Sequence, residues 1–442
     1  MMRWKLSVFA VFLLSILAEI NFADDLNQAV TKEYDAHLDE LFDHFHRNPE
    51  LSLMEYKTAD KLSRELVDAG FRVTQNLGGT GLIALLENGA GPLIMVRADM
   101  DGLPIEEKSG LANASRAKQV DWNGNEVFVM HACGHDVHIT SLVGTARIMA
   151  DRTDQWSGTL MLLGQPAEER VMGARNMMRE NLWGRFGKPD GALALHVSSE
   201  IPTGMLGVFD SPYSGADTVD VVVHGVGAHG ASPHRSVDPV VLASQIVIAL
   251  QTVVSRNLPP REPGVITVGS FHSGTKHNII SDRAILQLTV RSETAESRDI
   301  LLNGIRRVAE NLGRAAGLSG NMLPSVTISE ESVPPTWNDS EFTEKLVDLW
   351  GARFGKEVFV QGKRLGMGAE DFPLFTADPY IPSTYFAVGG TPKSAFEIEA
   401  QGGAPVPSHH SPLFKIDPRA SIILGTEATV AALLALMKSQ SP

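Results

Sequence analysis

The spacing of hydrophobic residues changes several times along the chain and predicts a layered α/β fold. Apolar positions recur at helical spacing over 26–46 and 55–69, and shorter apolar runs follow. Up to residue 197, runs typical of strands then mix with runs typical of helices. The strand runs are 71–77, 81–87, 92–98, 158–165 and 191–197, and the helical runs are 136–151 and 173–182. This order predicts a sheet layered with helices.

The pattern differs from about residue 212 onwards. "DTVDVVVHG" at 217–225 alternates with a period of two, and a long apolar helical run follows at 239–254. Two more strand runs, 264–272 and 284–291, precede a helical run at 294–316. The order β-α-β-β-α is typical of a small α+β module, so we predict a small domain inserted into a larger one. The predicted segments are 24–212 and 328–442 for the larger domain and 213–327 for the insertion.

The N-terminal segment has the pattern of a secretory signal. A short basic start precedes an uncharged apolar run of 13 residues, Leu6–Ala18, whereas a membrane span needs about 20 residues. Ala18 and Ala23 are both small enough to precede a cleavage point, and the acidic pair after Ala23 favours removal of 1–23. An uncleaved anchor is the alternative. We expect a periplasmic or secreted protein with no stable membrane insertion after cleavage.

The composition is that of a globular protein and argues against nucleic-acid binding. Of the 442 residues, 43% are hydrophobic and 20% are charged, and this length exceeds the usual size of a single core. The formal net charge is −14 and the sequence has no cluster of Lys and Arg, on which nucleic-acid binding depends. The one cysteine, Cys133, cannot form a disulfide within the chain and needs another explanation.

Residues able to bind metal ions follow the ends of several predicted strands, where the sites of α/β sheets lie. They are Asp99 and Asp101 after 92–98, His131, Cys133 and His135 before the helix of 136–151, Glu168 and Glu169 after 158–165, His196 near the end of 191–197, and His409 and His410 near the C-terminus. Each alone has an ordinary structural explanation. Together, imidazole, carboxylate and thiolate groups from five segments predict a site for Zn²⁺ or another first-row ion.

The adjacent glutamates suggest a division of roles. One can bind a metal ion while the other stays free as a general base, because a metal ion lowers the pKa of bound water towards about 7. A nucleophilic Cys–His pair within "HACGH" is an alternative, and it needs a free, partly exposed thiolate. "GVGAHG" at 225–230 matches the dinucleotide pattern G-x-G-x-x-G, but "ASPHRS" follows instead of a helix. We therefore predict no nucleotide site there.

Eight motifs of the chain occur in the order seen in the M20 metallopeptidase family. They are "RADMDGLPIEE", "MHACGHDVH", "GQPAEE", "ALALHV", "GVGAHGASPH", "GTKHNIISDRAILQLTVR", "GAEDF" and "HHSP". The chain resembles the amidohydrolase branch of this family, which includes hippurate hydrolases, N-acyl-amino-acid amidohydrolases and auxin-conjugate hydrolases. The resemblance begins at about "FHRNPELSLMEYKTA" (45–59) and extends to the C-terminus.

The resemblance implies an α/β metallopeptidase catalytic domain, with a central mixed sheet flanked by helices, and an inserted α+β lid domain that commonly dimerises. It also implies two divalent metal ions per subunit, Mn²⁺ or Zn²⁺. Matched motif by motif, the implied metal ligands are Cys133, His135, Glu169, His196 and His410. Glu168 is implied as the general base, and Asp101 as a residue that orients a ligand.

Residues of the insertion are implied at the substrate. His229 lies in the segment from which one subunit's histidine reaches the other subunit's site, and it is implied to hold the developing oxyanion. Asn278 and Arg291 are implied to bind substrate, Arg291 through a carboxylate. For Arg291, an ordinary surface arginine on a strand remains the alternative. Glu370 matches a family motif without a defined role.

Two features depart from the family pattern. A histidine doublet precedes "SP", so His409 competes with His410 as the ligand. The stretch 111–128 is longer than the usual link before "MHACGHD". It is either a loop at the mouth of the pocket or a plain hairpin around "NGN".

The sequence as a whole predicts a metal-dependent amidohydrolase. Its expected substrates are N-acyl amino acids, or related small amides and peptides, and the expected assembly is a homodimer through the inserted domain. Two alternatives stay open. One is a non-catalytic protein that binds small ligands on the same fold, and the other is an amidase that depends on Cys133.

Overall fold

The structure is a computed structural model that describes residues 25–362 and 366–438. The chain divides into two units. The first runs to Asp210 and resumes at Asn338, and the second covers Ser211–Trp337 with a short segment that ends at Leu374. The predicted signal segment, 1–23, lies outside the described residues.

Fifteen strands occur within the described residues. In chain order they are β1 (Arg72–Leu77), β2 (Gly81–Asn88), β3 (Leu93–Asp99), β4 (Lys118–Val120), β5 (Glu126–Phe128), β6 (Gly158–Gln165), β7 (Gly191–Pro202), β8 (Leu206–Val208), β9 (Gly215–His224), β10 (Ala228–His229), β11 (Gly264–Ser273), β12 (Ile279–Ile280), β13 (Arg283–Ser292), β14 (Ser325–Val333) and β15 (Ser383–Thr391). The helices cover 25–47, with a π-helical turn at Tyr34–Leu38, and then Tyr56–Asp68, His135–Ala150, Gly173–Arg179, Leu182–Phe186, Pro239–Asn257, Ala295–Ala315, Ser340–Phe354, Pro373–Thr376, Lys393–Ala400 and Pro418–Leu436. Short 3-10 turns cover Glu168–Arg170, Pro233–Arg235, Gly320–Met322 and Lys356–Val358.

A seven-stranded mixed sheet organises the first unit, with the order β1-β2-β6-β3-β7-β15-β8. The central strands β6, β3, β7 and β15 are parallel, and the outer strands pair antiparallel. The central strands are buried along almost their whole length, as a parallel sheet covered on both faces requires. Helices His135–Ala150 and Pro418–Leu436 are also largely buried. The predicted central mixed sheet flanked by helices is confirmed.

A four-stranded antiparallel sheet, in the order β11-β13-β9-β14, forms the second unit. Alternate residues of β13, such as Leu286 and Leu288, are buried in one core with helices Pro239–Asn257 and Ala295–Ala315. The predicted insertion ended at residue 327, whereas this unit continues to Trp337. The reason is that β14 pairs with β9 as far as Val333, beyond the predicted end.

Two helices of the described residues are long and apolar enough to cross a membrane by length and composition, Pro239–Asn257 and Pro418–Leu436. About two thirds of the most apolar window of the second helix is buried inside the first unit. Its apolar residues therefore serve the core of that unit. The first helix buries one side against the sheet of the second unit.

Candidate metal centre

The predicted ligands of the first unit lie where its parallel strands end. Asp99 is the last residue of β3, Gln165 is the last residue of β6, and His196 lies in β7. The carboxyl ends of parallel strands meet at one edge of a sheet, so these segments deliver polar groups to one place. Groups of potential ligand atoms lie within 4.8 Å of one another there: Cys133 with His135 and His196, Cys133 with Glu169 and His410, and His135 with Glu168 and Glu169.

A tight turn brings Cys133 and His135 to this edge. Gly134, between them, has a φ of 87°, a left-handed conformation that glycine adopts without strain, and a helix begins at His135. A Cβ atom at Gly134 would lie 2.3 Å from Cγ1 of the buried Val197. The turn therefore needs glycine to approach β7 this closely.

The hydrogen bond of His196 defines which ring nitrogen carries the proton. Its Nδ1 lies 2.6 Å from the carbonyl oxygen of Val197. A carbonyl only accepts, so Nδ1 carries the proton and Nε2 of the neutral ring carries none. That Nε2 lies 3.5 Å from Sγ of Cys133. Burial lowers the pKa of His196 well below its ordinary value, which keeps the ring in the neutral form that binds metal ions.

His138 uses both of its ring nitrogens in contacts with the protein. The backbone N–H of Val197 donates to Nε2 over 2.8 Å, so Nδ1 donates to Oδ1 of Asp99 over 2.5 Å. Burial also lowers the pKa of His138. His138 therefore orients Asp99 and fixes β7 beside the helix that begins at His135.

The surroundings of His135 favour positive charge. Both of its ring nitrogens are buried without a hydrogen-bond partner. Its Nε2 lies 3.8 Å from a carboxylate oxygen of each of Asp99, Glu168 and Glu169. Burial lowers the pKa of His135, but the carboxylates of Asp99 and Asp101 outweigh burial and raise it to about 10.

Glu168 and Glu169 lie in a strained turn that Asp101 holds. The 3-10 turn Glu168–Arg170 is flanked by Ala167 and Val171, whose φ values are 49° and 48°. The backbone N–H groups of Glu168 and Glu169 both donate to the carboxylate of Asp101, each over 3.1 Å. Oδ1 of Asp101 also lies 3.3 Å from Nδ1 of His135. Asp101 thus orients the turn and the histidine together.

The histidine doublet separates into two different environments. Nε2 of His410 lies 3.3 Å from Oε2 of Glu169. Nε2 of His409 instead accepts a hydrogen bond from the backbone N–H of Ser199 over 3.1 Å, and its ring packs against Phe414. The geometry therefore favours His410 over His409 as a ligand.

The donor set fits divalent metal ions. Ligands that share an ion at about 2.0–2.3 Å lie roughly 3–4 Å from each other, and the contacts of Cys133 with His196 and of His410 with Glu169 fall in this range, at 3.5 Å and 3.3 Å. The site is also rich in buried carboxylates, of which Asp99 pairs with Arg97 over 2.7 Å. Divalent ions would neutralise the remaining buried negative charge, which is otherwise unfavourable.

Comparison with known proteins identifies the family. Residues 95–413 match the family described as peptidase family M20/M25/M40. The chain belongs to this family. An N-acetyl-L-cysteine deacetylase of Bacillus subtilis is 34% identical over 79% of this chain and 79% of its own length. The IAA-amino acid hydrolase ILR1-like 2 of Arabidopsis thaliana is 32% identical over 92% of this chain and 89% of its own length.

A solved structure of the M20 family has the same fold. The YXEP protein of Bacillus subtilis, a dinuclear metal binding peptidase from the M20 family, superposes with a TM-score of 0.73 at 27% identity, over 92% of this chain and 99% of its own. The predicted membership is therefore confirmed. This M20 chain is a hydrolase that acts on amide bonds, as its sequence predicts.

The second unit of this M20 peptidase carries the residues implied at the substrate. His229 is exposed on β10, and its Nδ1 accepts a hydrogen bond from the backbone N–H of Ala231 over 3.0 Å. Asn278 lies just before β12, which pairs with β10, and its side-chain oxygen is buried without a hydrogen-bond partner. Arg291 lies on β13 in the four-stranded sheet, and burial lowers its pKa. His229 and Asn278 thus share one ribbon, and Arg291 lies on another sheet.

The long stretch 111–128 of this M20 chain contains a hairpin formed by β4 and β5. Its tip is ordered by Asp121, whose Oδ1 accepts hydrogen bonds from two backbone N–H groups of the tip. Trp122 is 41% exposed, and its ring centre lies 4.5 Å from the guanidinium carbon of Arg170, the residue after Glu169. The hairpin therefore contacts the turn that carries the two glutamates.

Two supporting residues were not singled out by sequence reasoning. Nδ1 of His46 lies 2.7 Å from Asp136, next to His135, and its Nε2 lies 3.4 Å from Glu107. The buried carboxylate of Glu55 contacts the backbone just before Glu168. Both residues belong to "FHRNPELSLMEYKTA", which the sequence analysis used only to mark where the resemblance begins. Its one histidine and two acids were the available signal.

Proposed function

We propose that this chain is a metal-dependent amidohydrolase that cleaves the amide bond of N-acyl amino acids, or of related small amides and peptides. One observation carries the proposal: Cys133, His135, His196, Glu169 and His410 converge beside Glu168, in groups whose ligand atoms lie within 4.8 Å of one another. The names of the deacetylase and of the amino acid hydrolase among the relatives support substrates in which an acyl group is joined to an amino acid.

The proposed cofactor is a pair of divalent ions, as the dinuclear relative suggests, and the ion is proposed to be Mn²⁺ or Zn²⁺. Cys133, His135, His196, Glu169 and His410 would hold them. When bound, such ions lower the pKa of water and polarise a carbonyl group. The thiolate of Cys133 favours Zn²⁺ and the carboxylates favour Mn²⁺.

Glu168 is the proposed general base. It is buried beside His135, and its backbone is fixed by Asp101. Its carboxylate would take the proton from the attacking water and pass it to the leaving amine. The adjacent Glu169 faces His410 instead, so Glu169 is the proposed ligand and Glu168 the proposed base.

His229 is the proposed donor to the developing oxyanion. Because Nδ1 accepts from Ala231, the neutral ring carries its proton on the exposed Nε2. An N–H at that position can donate to an oxyanion, as family resemblance implies. On the same basis, Asn278 and Arg291 are proposed to bind the substrate, Arg291 through a carboxylate.

We further propose a homodimer formed through the second unit and export to the periplasm or the exterior. The dimer is supported by the family resemblance and by exposed apolar residues such as Val241 and Ile248 on helix Pro239–Asn257. Export is supported by the apolar N-terminal run alone. Sedimentation of the purified protein and N-terminal sequencing of the exported form test the two proposals.

The thiol amidase is disfavoured by the electrostatics of Cys133. Burial and the carboxylates of Glu169 and Glu168 raise the pKa of the Cys133 thiol, whereas a nucleophilic cysteine needs a lowered pKa. A non-catalytic binding protein would have no need of a general base at the position of Glu168. The metalloenzyme remains the function that the geometry supports best.

The test is hydrolysis of a panel of N-acyl amino acids, hippurate included, by the protein loaded with Mn²⁺ or Zn²⁺. Glu168→Gln should keep its metal content and lose roughly 10²–10⁴-fold in kcat, and Glu399→Gln, on an exposed helix, is the matched control. Near-full activity of metal-loaded Glu168→Gln would refute the mechanism. Activity that survives chelation but not Cys133→Ser would favour the thiol amidase.

A further inference from the structure

We infer that Glu55 is a positioning residue that holds the turn bearing Glu168 and Glu169 in its active shape, by binding the backbone of Ala167. The inference rests on the proposed function, in which Glu168 is the base and Glu169 a ligand. Glu55 lies more than one hundred residues earlier in the chain, at the start of helix Tyr56–Asp68.

The carboxylate of Glu55 is completely buried and fully used. Its Oε1 accepts the backbone N–H of Ala167 over 2.8 Å and that of Leu53 over 2.9 Å. Its Oε2 accepts the hydroxyl of Thr80. Burial and the neighbouring Asp101 raise the pKa of Glu55 to about 8, but Oε1 can accept both N–H groups in the neutral acid as well as in the carboxylate, so Glu55 anchors Ala167 in either form.

Ala167 needs such an anchor because its backbone is strained. Its φ of 49° is left-handed, and this conformation is disfavoured for alanine by roughly 5- to 30-fold relative to the right-handed one. Val171, at the other end of the turn, has a φ of 48°. A turn flanked by two such residues keeps its shape only when its surroundings hold it.

Glu55 and Asp101 together accept hydrogen bonds from three consecutive backbone N–H groups of the turn. Glu55 binds the N–H of Ala167, and Asp101 binds those of Glu168 and Glu169. Asp101 fixes the glutamates themselves, whereas Glu55 fixes the strained residue before them. Loss of the Glu55 carboxylate would let Ala167 relax and displace the carboxylate of Glu168.

Glu50 offers a matched control on the same segment. Its buried carboxylate also accepts two backbone N–H groups, those of Lys57 and Thr58, each over 2.8 Å, and the hydroxyl of Thr58 over 3.0 Å. These contacts secure helix Tyr56–Asp68 and not the turn. Glu55→Met and Glu50→Met therefore remove equivalent hydrogen bonds with different consequences for the site.

The kinetic test compares these variants with Mn²⁺ or Zn²⁺ saturating. We expect Glu55→Met to lower kcat by roughly 10- to 100-fold, as displacement of a catalytic group by about 1 Å does, with a smaller change in KM. Glu55→Gln keeps one acceptor oxygen for the three donors that Glu55 accepts, so it should weaken the hold on Ala167 and lower kcat by less than Glu55→Met does. Equal losses of kcat in Glu55→Met and Glu50→Met would overturn the inference.

A second substitution distinguishes positioning from general support of the fold. Glycine adopts a positive φ freely, so Ala167→Gly in the Glu55→Met background should restore kcat by about tenfold. The same substitution should restore nothing in the Glu50→Met background. Absence of rescue in Glu55→Met would overturn the inference, since the strain at Ala167 would then be irrelevant.

Amide hydrogen exchange supplies a readout that is independent of activity. In Glu55→Gln, exchange should rise in the peptide that spans Ala167, and in Glu50→Gln it should rise at Lys57 and Thr58 instead. This measurement also serves if Glu55→Met does not fold. Unchanged exchange at Ala167 would overturn the inference whether or not Glu168 is the base. Full activity of Glu168→Gln would refute only the proposed function.

Discussion

Substitution of Gly134 by alanine tests the geometry of the metal centre most directly. Gly134 separates two proposed ligands, Cys133 and His135, and has a φ of 87°. A Cβ atom there would lie 2.3 Å from Cγ1 of Val197 and 3.6 Å from the ring of Phe414. Val197 is completely buried and follows His196, so any movement that relieves the clash displaces a ligand.

The cost of Gly134→Ala has two parts. A left-handed conformation costs alanine about 1–2 kcal/mol, and overpacking of a buried site costs about 1–3 kcal/mol more. We therefore expect the free energy of unfolding to fall by about 2–5 kcal/mol. Displacement of ligands should also weaken binding of Mn²⁺ or Zn²⁺ by about 10- to 100-fold, as loss of ligand orientation does elsewhere.

Gly124→Ala is the matched control for this prediction. Gly124, at the tip of the hairpin, has a φ of 84°, and nothing lies within 4 Å of a Cβ atom built there. It should bear only the backbone cost of about 1–2 kcal/mol and leave metal affinity unchanged. Urea unfolding followed by tryptophan fluorescence reports mainly on the first unit, which holds Trp122, Trp156, Trp183 and Trp350. Equal destabilisation in the two variants, or normal metal affinity in Gly134→Ala, would refute the reasoning.

Three further outcomes are expected. Burial lowers the pKa of His46, but its contacts with Asp136 and Glu107 outweigh burial and raise it from 6.5 to about 10. His46 therefore stabilises the fold fully below pH 6.5 and loses this contribution as the pH rises through about 10, so urea unfolding should show His46→Gln to be most destabilising near pH 6. Trp122→Ala should lower kcat/KM by about two- to fivefold, the value of an exposed cation–π contact of about 0.5–1 kcal/mol, whereas Trp122→Phe should not; no loss in Trp122→Ala would separate the hairpin from the site. Added Mn²⁺ or Zn²⁺ should stabilise the protein by about 2.7 kcal/mol when the ion is at one hundred times its Kd. A thermal unfolding temperature that neither ion changes would contradict the metal centre.

Strand ends explain why much of the metal centre could be predicted from sequence. Asp101, Glu169 and His196 lie at or just beyond strongly apolar runs, and these runs are the observed strands β3, β6 and β7. Parallel strands bring such positions to one edge whatever the details of the loops. The structure accordingly brings the proposed ligands together at the ends of the same strands that the sequence predicts.

The contacts that orient the site could not be predicted in the same way. His409 and His410 are neighbours in an irregular loop, and His410 has a φ of 62°, so no periodicity indicates which ring faces the site. The answer depends on the hydrogen bond from Ser199 to His409. The contact of Trp122 with Arg170 likewise joins segments that only the folded chain brings together.

Electrostatics links the strained turn to the cations that the site would hold. Four carboxylates, those of Asp99, Asp101, Glu168 and Glu169, lie close to the imidazole of His135. Without divalent ions their mutual repulsion opposes the compact arrangement and adds to the strain at Ala167. With ions bound, the repulsion becomes attraction and the strain is offset locally. The segment 167–171 should therefore be the part of the first unit whose stability depends most on the ions, while the apolar strands beneath it, which hold no charge at their centres, should respond least.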